Sequence, residues 1–318
     1  MKVSGKELAE PKTLLGFLNI HKPTGMTSHD VVQRVRKLLA VKQVGHGGTL
    51  DPLAQGVLPI AVGPACRLLR FLPNDKTYRA EILLGQQTTT DDLEGEIIKR
   101  ADCPLPAYEE IRQSLSHFVG EIEQIPPAYS AVHHNGKRLY QLARSGALPE
   151  EIEPRQVTIH ELEILKLELD TVEVRIRCGA GTYIRSIARD LGERLGVGGC
   201  LRSLVRERAG AFSLAEALNL DQLAELKEQG VISEALIDPL VALSSNPGLS
   251  SVEVDREVAR RLSMGQRING AEFDGAEFDA PVHGCNKILI TFEKKLIAVC
   301  NLTKENLVEP EVVLFNAT

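Results

Sequence analysis

The sequence predicts an α+β fold: a mixed, largely antiparallel sheet flanked by helices, with a small β-rich unit at the C-terminus. Three observations lead there. Alternating segments at about 156–168 and 171–178 flank Leu169-Asp170 and read as an antiparallel strand pair. Apolar stripes at helical spacing interleave with the strands: Val31, Val32, Val35, Leu38 and Leu39 in one segment, Ile184, Ile187, Ala188, Leu191 and Leu195 in another. Residues 244–251 form a Ser-, Pro- and Gly-rich linker, and strand-like runs follow at 288–292, 296–302 and 312–315.

Composition bounds the class. With 318 residues, 43% of them hydrophobic, the chain can bury a full core and is expected to hold two domains. Aromatics are 4% and Trp is absent, so that core must be aliphatic. No apolar run reaches the length of a membrane span, and residues 1–12 are charged without an apolar signal segment, so a cytoplasmic location is expected. The six cysteines, Cys66, Cys103, Cys178, Cys200, Cys285 and Cys300, form no Cys-x-x-Cys pair, so neither zinc nor disulfides are expected, and scattered buried thiols fit a reducing compartment. A net charge of −6 argues against nucleic acid, yet residues 1–80 carry twelve Lys and Arg against five Asp and Glu. That local excess points to a basic face.

In order along the chain, residues 15–21 read as a strand and 22–28 as a turn, with Ser28 capping the first helix. The stretch 45–58, Gly-His-Gly-Gly-Thr-Leu-Asp-Pro-Leu-Ala-Gln-Gly-Val-Leu, then concentrates glycines, one imidazole (His46) and one carboxylate (Asp51) ahead of a buried strand at 56–63. A short helical piece at 66–71 precedes an alternating strand at 76–85 that contains Tyr78. A turn-rich loop at 88–95, a strand at 96–99 and a helix at 107–118 follow. His133-His134-Asn135-Gly136 carries a tight-turn signal, and Lys137, Arg138 and Arg144 make a phosphate-contacting edge. Gly179 and Gly181 end the second strand of the 156–178 pair, Thr182 begins a helix, and Arg185 lies off its apolar stripe. Further helices are expected at 221–229 and 255–264. Taken alone, the residue pattern leaves Asp51 as either a catalytic carboxylate or an ordinary Asp-Pro turn, and Tyr78 as a half-buried strand residue.

The 45–52 stretch resembles the catalytic motif of the TruB-type tRNA pseudouridine synthases, Gly-His-Thr-Gly-Thr-Leu-Asp-Pro, with Gly47 standing where that pattern has Thr. Lys22-Pro23-Thr24-Gly25-Met26-Thr27-Ser28 resembles a second family motif, which supports the catalytic loop. Residues 125–131 and 135–140 match parts of an RNA-gripping insertion at about 120–150. The resemblance is specific over about 15–215 and only positional beyond it. It implies Asp51 as the catalytic aspartate, Tyr78 against the target base, and Arg185, from the matching Gly181-Thr182-Tyr183-Ile184-Arg185 segment, as the partner of the aspartate. Substrate contacts implied alongside these are His46 among displaced loop bases, Lys22, Tyr183, Lys137, Arg138 and a pocket wall at Leu204. In the segment 201–212, Val205 and Glu207 depart from the family pattern, so Leu204 alone is carried over from it. The implied architecture is a pseudouridine synthase domain over residues 1–245 and a PUA-like RNA-binding domain over 246–318. The implied substrate is uridine 55 in the T-arm of tRNA, modified by a monomer without cofactor or metal.

Such chemistry breaks a C1′–N1 bond, rotates the base and forms C1′–C5, for which a carboxylate is a suitable nucleophile. A buried Asp needs a neighbouring cation to stay charged, which is the physical reason for pairing Asp51 with Arg185. The target base must leave its stack to be reached. Competing readings are an RNA-binding module without chemistry, a guide-RNA-dependent relative, and a glycosidase-like enzyme. The last requires a second carboxylate, for which Asp91 and Asp92 are the candidates.

Overall fold

A computed structural model describes residues 14–273 and 286–314. Strand β1 (Gly16–Lys22), buried except for the half-buried His21, runs into a turn and helix α1 (Ser28–Leu39), whose Val31, Val32, Val35 and Leu39 pack on Leu18, Ile20, Leu58 and Ile60. The helix is capped by Thr27, not Ser28. Thr27 Oγ1 accepts from Asp30 N at 3.1 Å, and the Asp30 carboxylate accepts from Thr27 N at 2.9 Å, a complete capping box. Ser28 instead points inward, a use its sequence position does not announce.

Strands β2 (Val44–His46) and β3 (Gln55–Val62) bracket the glycine-rich loop. A 3-10 helix, Gly63–Phe71, leads to β4 (Lys76–Leu84), the small hairpin β5 (Gln86–Thr88) and β6 (Ile97–Arg100), and α2 (Tyr108–Ser116). Then come β7 (Gly120–Gln124), the exposed hairpin β8 (His133–His134) and β9 (Lys137–Arg138), and α3 (Leu139–Arg144). The long pair β10 (Arg155–Glu168) and β11 (Thr171–Cys178) turns at Leu169, which takes a positive φ of 42°. Helix α4 (Ile184–Arg194) begins two residues later than Thr182, whose hydroxyl donates to Gly179 O at 3.1 Å and so ends the preceding turn. Strands β12 (Gly199–Ala209) and β13 (Phe212–Ser213) and helices α5 (Leu220–Glu228) and α6 (Pro239–Ser244) complete the larger unit.

These strands form one nine-stranded sheet in the order β1-β3-β12-β4-β11-β10-β7, with β2 on β3 and β13 on β12. Every pairing is antiparallel except β3 with β12. One edge of β3 is split: β12 pairs with Gln55 and Gly56, and β2 pairs with Ile60 to Val62. The glycine-rich loop emerges at that split. On the core side, α4 lays Ile184, Ile187, Ala188 and Leu191 against Ala80, Ile82, Val172, Val174 and Ile176.

The supposed linker hides a strand. Residues 249–253 form β14 (Leu249–Glu253), paired in parallel with β16 (Lys287–Phe292), because parallel pairing to a distant segment can order a polar edge strand. Helix α7 (Arg256–Ser263), β15 (Ile268–Asn269), β17 (Lys295–Leu302) and β18 (Leu307–Val313) complete a five-stranded sheet, ordered β14-β16-β17-β18-β15. The last strand ends at Val313, and Phe315 of the expected 312–315 strand lies outside the described residues, as do residues 1–12 and Cys285. One apolar cluster runs across both sheets, joining Phe17, Val57, Leu68, Phe71 and Phe212 to Leu289, Leu296, Val299 and Val312 through Ala242 and Leu243. At its rim, Glu311 accepts from both Arg70 and Lys287. No described helix is long and apolar enough to cross a membrane.

Candidate active site

The loop between β2 and β3 is tied down on both sides of Asp51. Ser28 Oγ accepts from Leu50 N at 2.8 Å and reaches Leu50 O at 3.1 Å. Gly25 N donates to Pro52 O at 2.8 Å, Gly47 N to Pro59 O at 2.8 Å, and Ala54 N to Asp51 O at 3.1 Å. Leu50 and Ala54 plug into the core beneath. Gly47, the departure from the family motif, fits this packing: a Cβ there would stand 2.9 Å from Leu72 Cδ1. With its backbone fixed, the loop holds the Asp51 side chain 37% exposed at the floor of a cleft.

Arg185 meets Asp51 there, its Nε donating to Oδ2 at 2.9 Å. The sequence places Arg185 off the apolar stripe, but the structure buries it, with its side chain only 5% exposed. The guanidinium escapes the cost of burial by using its other donors on main chain: Nη1 to Thr90 O at 3.0 Å and Nη2 to Tyr129 O at 2.9 Å. Asp92 Oδ2 lies 3.7 Å behind the Nε. The start of α4 is clamped as well. Buried Gln124 donates to Tyr183 O at 3.1 Å and accepts from Tyr183 N at 2.8 Å, and Ser186 Oγ donates to Ile125 O.

The cleft has a volume of about 790 Å³ and is lined by His46, Asp51, Tyr78, Arg138, Tyr183, Arg185 and Leu204 among the residues expected to contact substrate. Two expected contacts are elsewhere. Lys137 is exposed on the β8–β9 hairpin and does not line the cleft. Lys22 is wholly buried: its Nζ donates to Met26 O at 2.6 Å, Pro23 O at 2.9 Å and Pro52 O at 3.5 Å, so it props the loop from below. Neither carboxylate considered for a glycosidase faces Asp51 across the cleft. Asp91 pairs with Arg189 at 3.1 Å, and Asp92 is buried behind Arg185. The His133-His134 pair sits on the hairpin, and no cluster of metal-ligating side chains occurs among the described residues.

Burial tunes the titratable groups. It pushes the Tyr78 phenol up, with the Arg206 guanidinium beside it pulling the other way, so Tyr78 is protonated at neutral pH. Burial, aided by Arg206, holds His46 below the usual imidazole range, and its Nδ1 has no hydrogen-bond partner among the described residues. Burial pulls Lys22 down to about 8, partly offset by the charge of Asp51. The cleft therefore offers a carboxylate pinned by a guanidinium, flanked by a phenol, a neutral imidazole and an aliphatic wall. Such an arrangement suits nucleophilic or electrostatic work on a planar, apolar-faced ligand.

Several residues of the site escaped the sequence reading. Lys76 lines the cleft one strand repeat before Tyr78, and that shared parity was a usable signal. Arg206 has the same parity as Leu204 on β12, so a charged side chain on the inward face could have been noticed. Gln124 uses its side-chain amide on the main chain of Tyr183, and Tyr129 offers Arg185 only its carbonyl, so neither pairing shows in the side-chain pattern.

Comparison with known proteins accords with this geometry. Residues 36–184 match the TruB family pseudouridylate synthase N-terminal domain, and residues 185–243 match the tRNA pseudouridylate synthase B C-terminal domain. The chain is 44% identical over 315 residues to tRNA pseudouridine synthase B of Synechocystis sp., covering 95% of this chain and 100% of the relative. It is 53% identical over 259 residues to the Acaryochloris marina protein of the same name, covering 80% and 87%. A chain from the crystal structure of a Cbf5–Nop10–Gar1 complex superposes with a TM-score of 0.70 at 27% identity, covering 95% of this chain and 85% of that one. The chain belongs to the TruB family of pseudouridylate synthases, isomerases that convert uridine to pseudouridine.

Proposed function

We propose that this protein isomerises uridine 55 in the T-loop of tRNA, with Asp51 as the nucleophile and the target base flipped into the cleft. The observation that carries the reading is the Asp51–Arg185 pair of 2.9 Å at the floor of a cleft large enough for a nucleotide and its neighbours. The tRNA substrate is inferred from the likeness to tRNA pseudouridine synthase B of Synechocystis sp., aligned over nearly the whole chain.

Arg185, fixed by Thr90 O and Tyr129 O, holds the Asp51 carboxylate aimed while the C1′–N1 bond breaks. The base leaves with the C1′–N1 electron pair and rotates; its C5 bonds C1′ as the carboxylate is released, and the proton lost from C5 is matched by one gained at N1, so the reaction is neutral overall. Tyr78 stacks on the base and orients it; with its phenol pushed up by burial, proton removal is at most its secondary duty. Leu204 and Tyr183 wall the pocket. His46, neutral and with Nδ1 free of partners among the described residues, packs among bases of the opened loop. Arg138 and Arg144 at the cleft and Lys137 on the adjoining hairpin contact phosphates. The five-stranded sheet of residues 246–318 serves as a PUA-like RNA-binding domain beside the catalytic domain of residues 1–245. The enzyme acts in the cytoplasm as a monomer and uses no cofactor.

The test is tritium release from an unmodified tRNA transcript carrying 5-³H-uridine. Wild type should release tritium and Asp51→Asn should not, while the variant binds tRNA within about threefold of wild type. Near-normal release by Asp51→Asn would show that the nucleophile is elsewhere, and mapping of the product reads out the uridine modified.

A further inference from the structure

We propose that Arg206 is a positioning residue that sets the Asp51 loop against the Tyr78 strand. Arg206 lies in the middle of β12 with 0% of its surface exposed, and among the described residues it has no carboxylate partner. Burying an uncompensated cation is costly, and an aliphatic side chain of the same size would pack here without that penalty. The guanidinium spends its donors on main-chain carbonyls drawn from both sides of Asp51. Nη2 reaches Gly48 O at 3.1 Å and Nη1 reaches Thr49 O at 3.4 Å, both before it, and Nε reaches Val57 O at 2.7 Å, after it.

The strand register explains why one residue can do this. Arg206 pairs in parallel with Gly56 on β3 and antiparallel with Tyr78 on β4. It stands where the edge of β3 is split, and its side chain meets carbonyls that no strand takes up there. Gly56 takes a φ of 109°, and any Cβ on it would overlap the main chain of Arg206, so the approach is specified from both sides. The same guanidinium lies beside the Tyr78 phenol. One planar fork thus spans the frame of the nucleophile and the frame of the base-stacking residue. Lysine keeps the charge but gathers its donors on one nitrogen, so it cannot meet Val57 O from the stem while reaching Gly48 O and Thr49 O from the tip, as the planar fork does.

This inference rests on Asp51 carrying the chemistry. Its test uses the full chain with Arg206→Lys and Arg206→Met, Asp51→Asn alongside, and three readouts: single-turnover tritium release at saturating enzyme, affinity for unmodified tRNA, and thermal midpoint. A displaced loop leaves RNA binding intact but spoils the attack geometry. The Lys variant should therefore lose about tenfold in rate and the Met variant about 100-fold, with affinity within about threefold of wild type. A Met variant turning over within about threefold of wild type, or rate losses matched by equal losses of affinity, would overturn the proposal. If the Met variant does not fold, the Lys variant decides by the same split of rate and affinity. Inactive Asp51→Asn with normal Arg206 variants sinks this inference alone; active Asp51→Asn sinks the reading beneath it.

Discussion

Lys22 shows how much of this site is built from atoms the sequence does not name. Its ammonium is caged by carbonyls of Pro23, Met26 and Pro52, and burial pulls it down to about 8 from an ordinary 10.5. Below pH 8 folded and unfolded chains both hold the proton, and the fold bears the full penalty of a buried charge. Between pH 8 and 10.5 the unfolded chain keeps a proton that the folded chain has shed, so this contribution to stability improves as pH rises. Relative to Lys22→Met, wild type should gain up to about 3 kcal/mol between pH 7 and pH 10.5, measured by urea unfolding at a series of pH values. Parallel curves for the two proteins would refute it. Asp51, Tyr78 and Arg185 could be grouped in advance because the motifs that carry the resemblance are written in side chains, and the structure brings all three to one cleft. Lys22 and Arg206 were misplaced or missed because their partners are carbonyls, which every residue carries.

Among the elements, α4 matters most because it presents Arg185 to Asp51. The helix approaches β12 so closely that a Cβ on Gly192 would overlap the main chain of Gly198 and Gly199. On an exposed helix, Gly→Ala would stabilise by about 1 kcal/mol. Here Gly192→Ala should cost about 1–3 kcal/mol through overpacking and reduce turnover by tilting the helix, read as a lower thermal midpoint with slower tritium release. An unchanged or raised midpoint would mean that the helix has room to move. The helices themselves were readable from their stripes, since apolar spacing is a property of the side chains. Their ends were less so. Thr27 and Ser28 are equivalent as caps until Leu50 arrives to bond the serine, and β14 looks like linker until β16, far along the chain, supplies its partner.

For the molecule as a whole, the sign of the charge matters less than where it is already paired. On the sheet's outer face, Arg79, Arg175 and Arg177 are interleaved with Glu161, Glu163, Glu173, Glu207 and Asp75. Arg138 at the cleft and Lys137 on the adjoining hairpin have no ion-pair partner among the described residues, so their charge is free to meet phosphates. Affinity for tRNA should fall on the order of 10–100-fold between about 50 and 200 mM salt, measured by filter binding. A flat response would remove the phosphate-contacting role of that edge. The apolar cluster that runs from Phe17 and Val57 through Leu243 to Leu289 and Val299 has a further consequence, for modular exchange. The tail is not an interchangeable attachment, because its inner wall is also a wall of the catalytic half's core. A tail borrowed from a relative would have to bring along the matching surface of residues 57–71, so the two parts can only be swapped together.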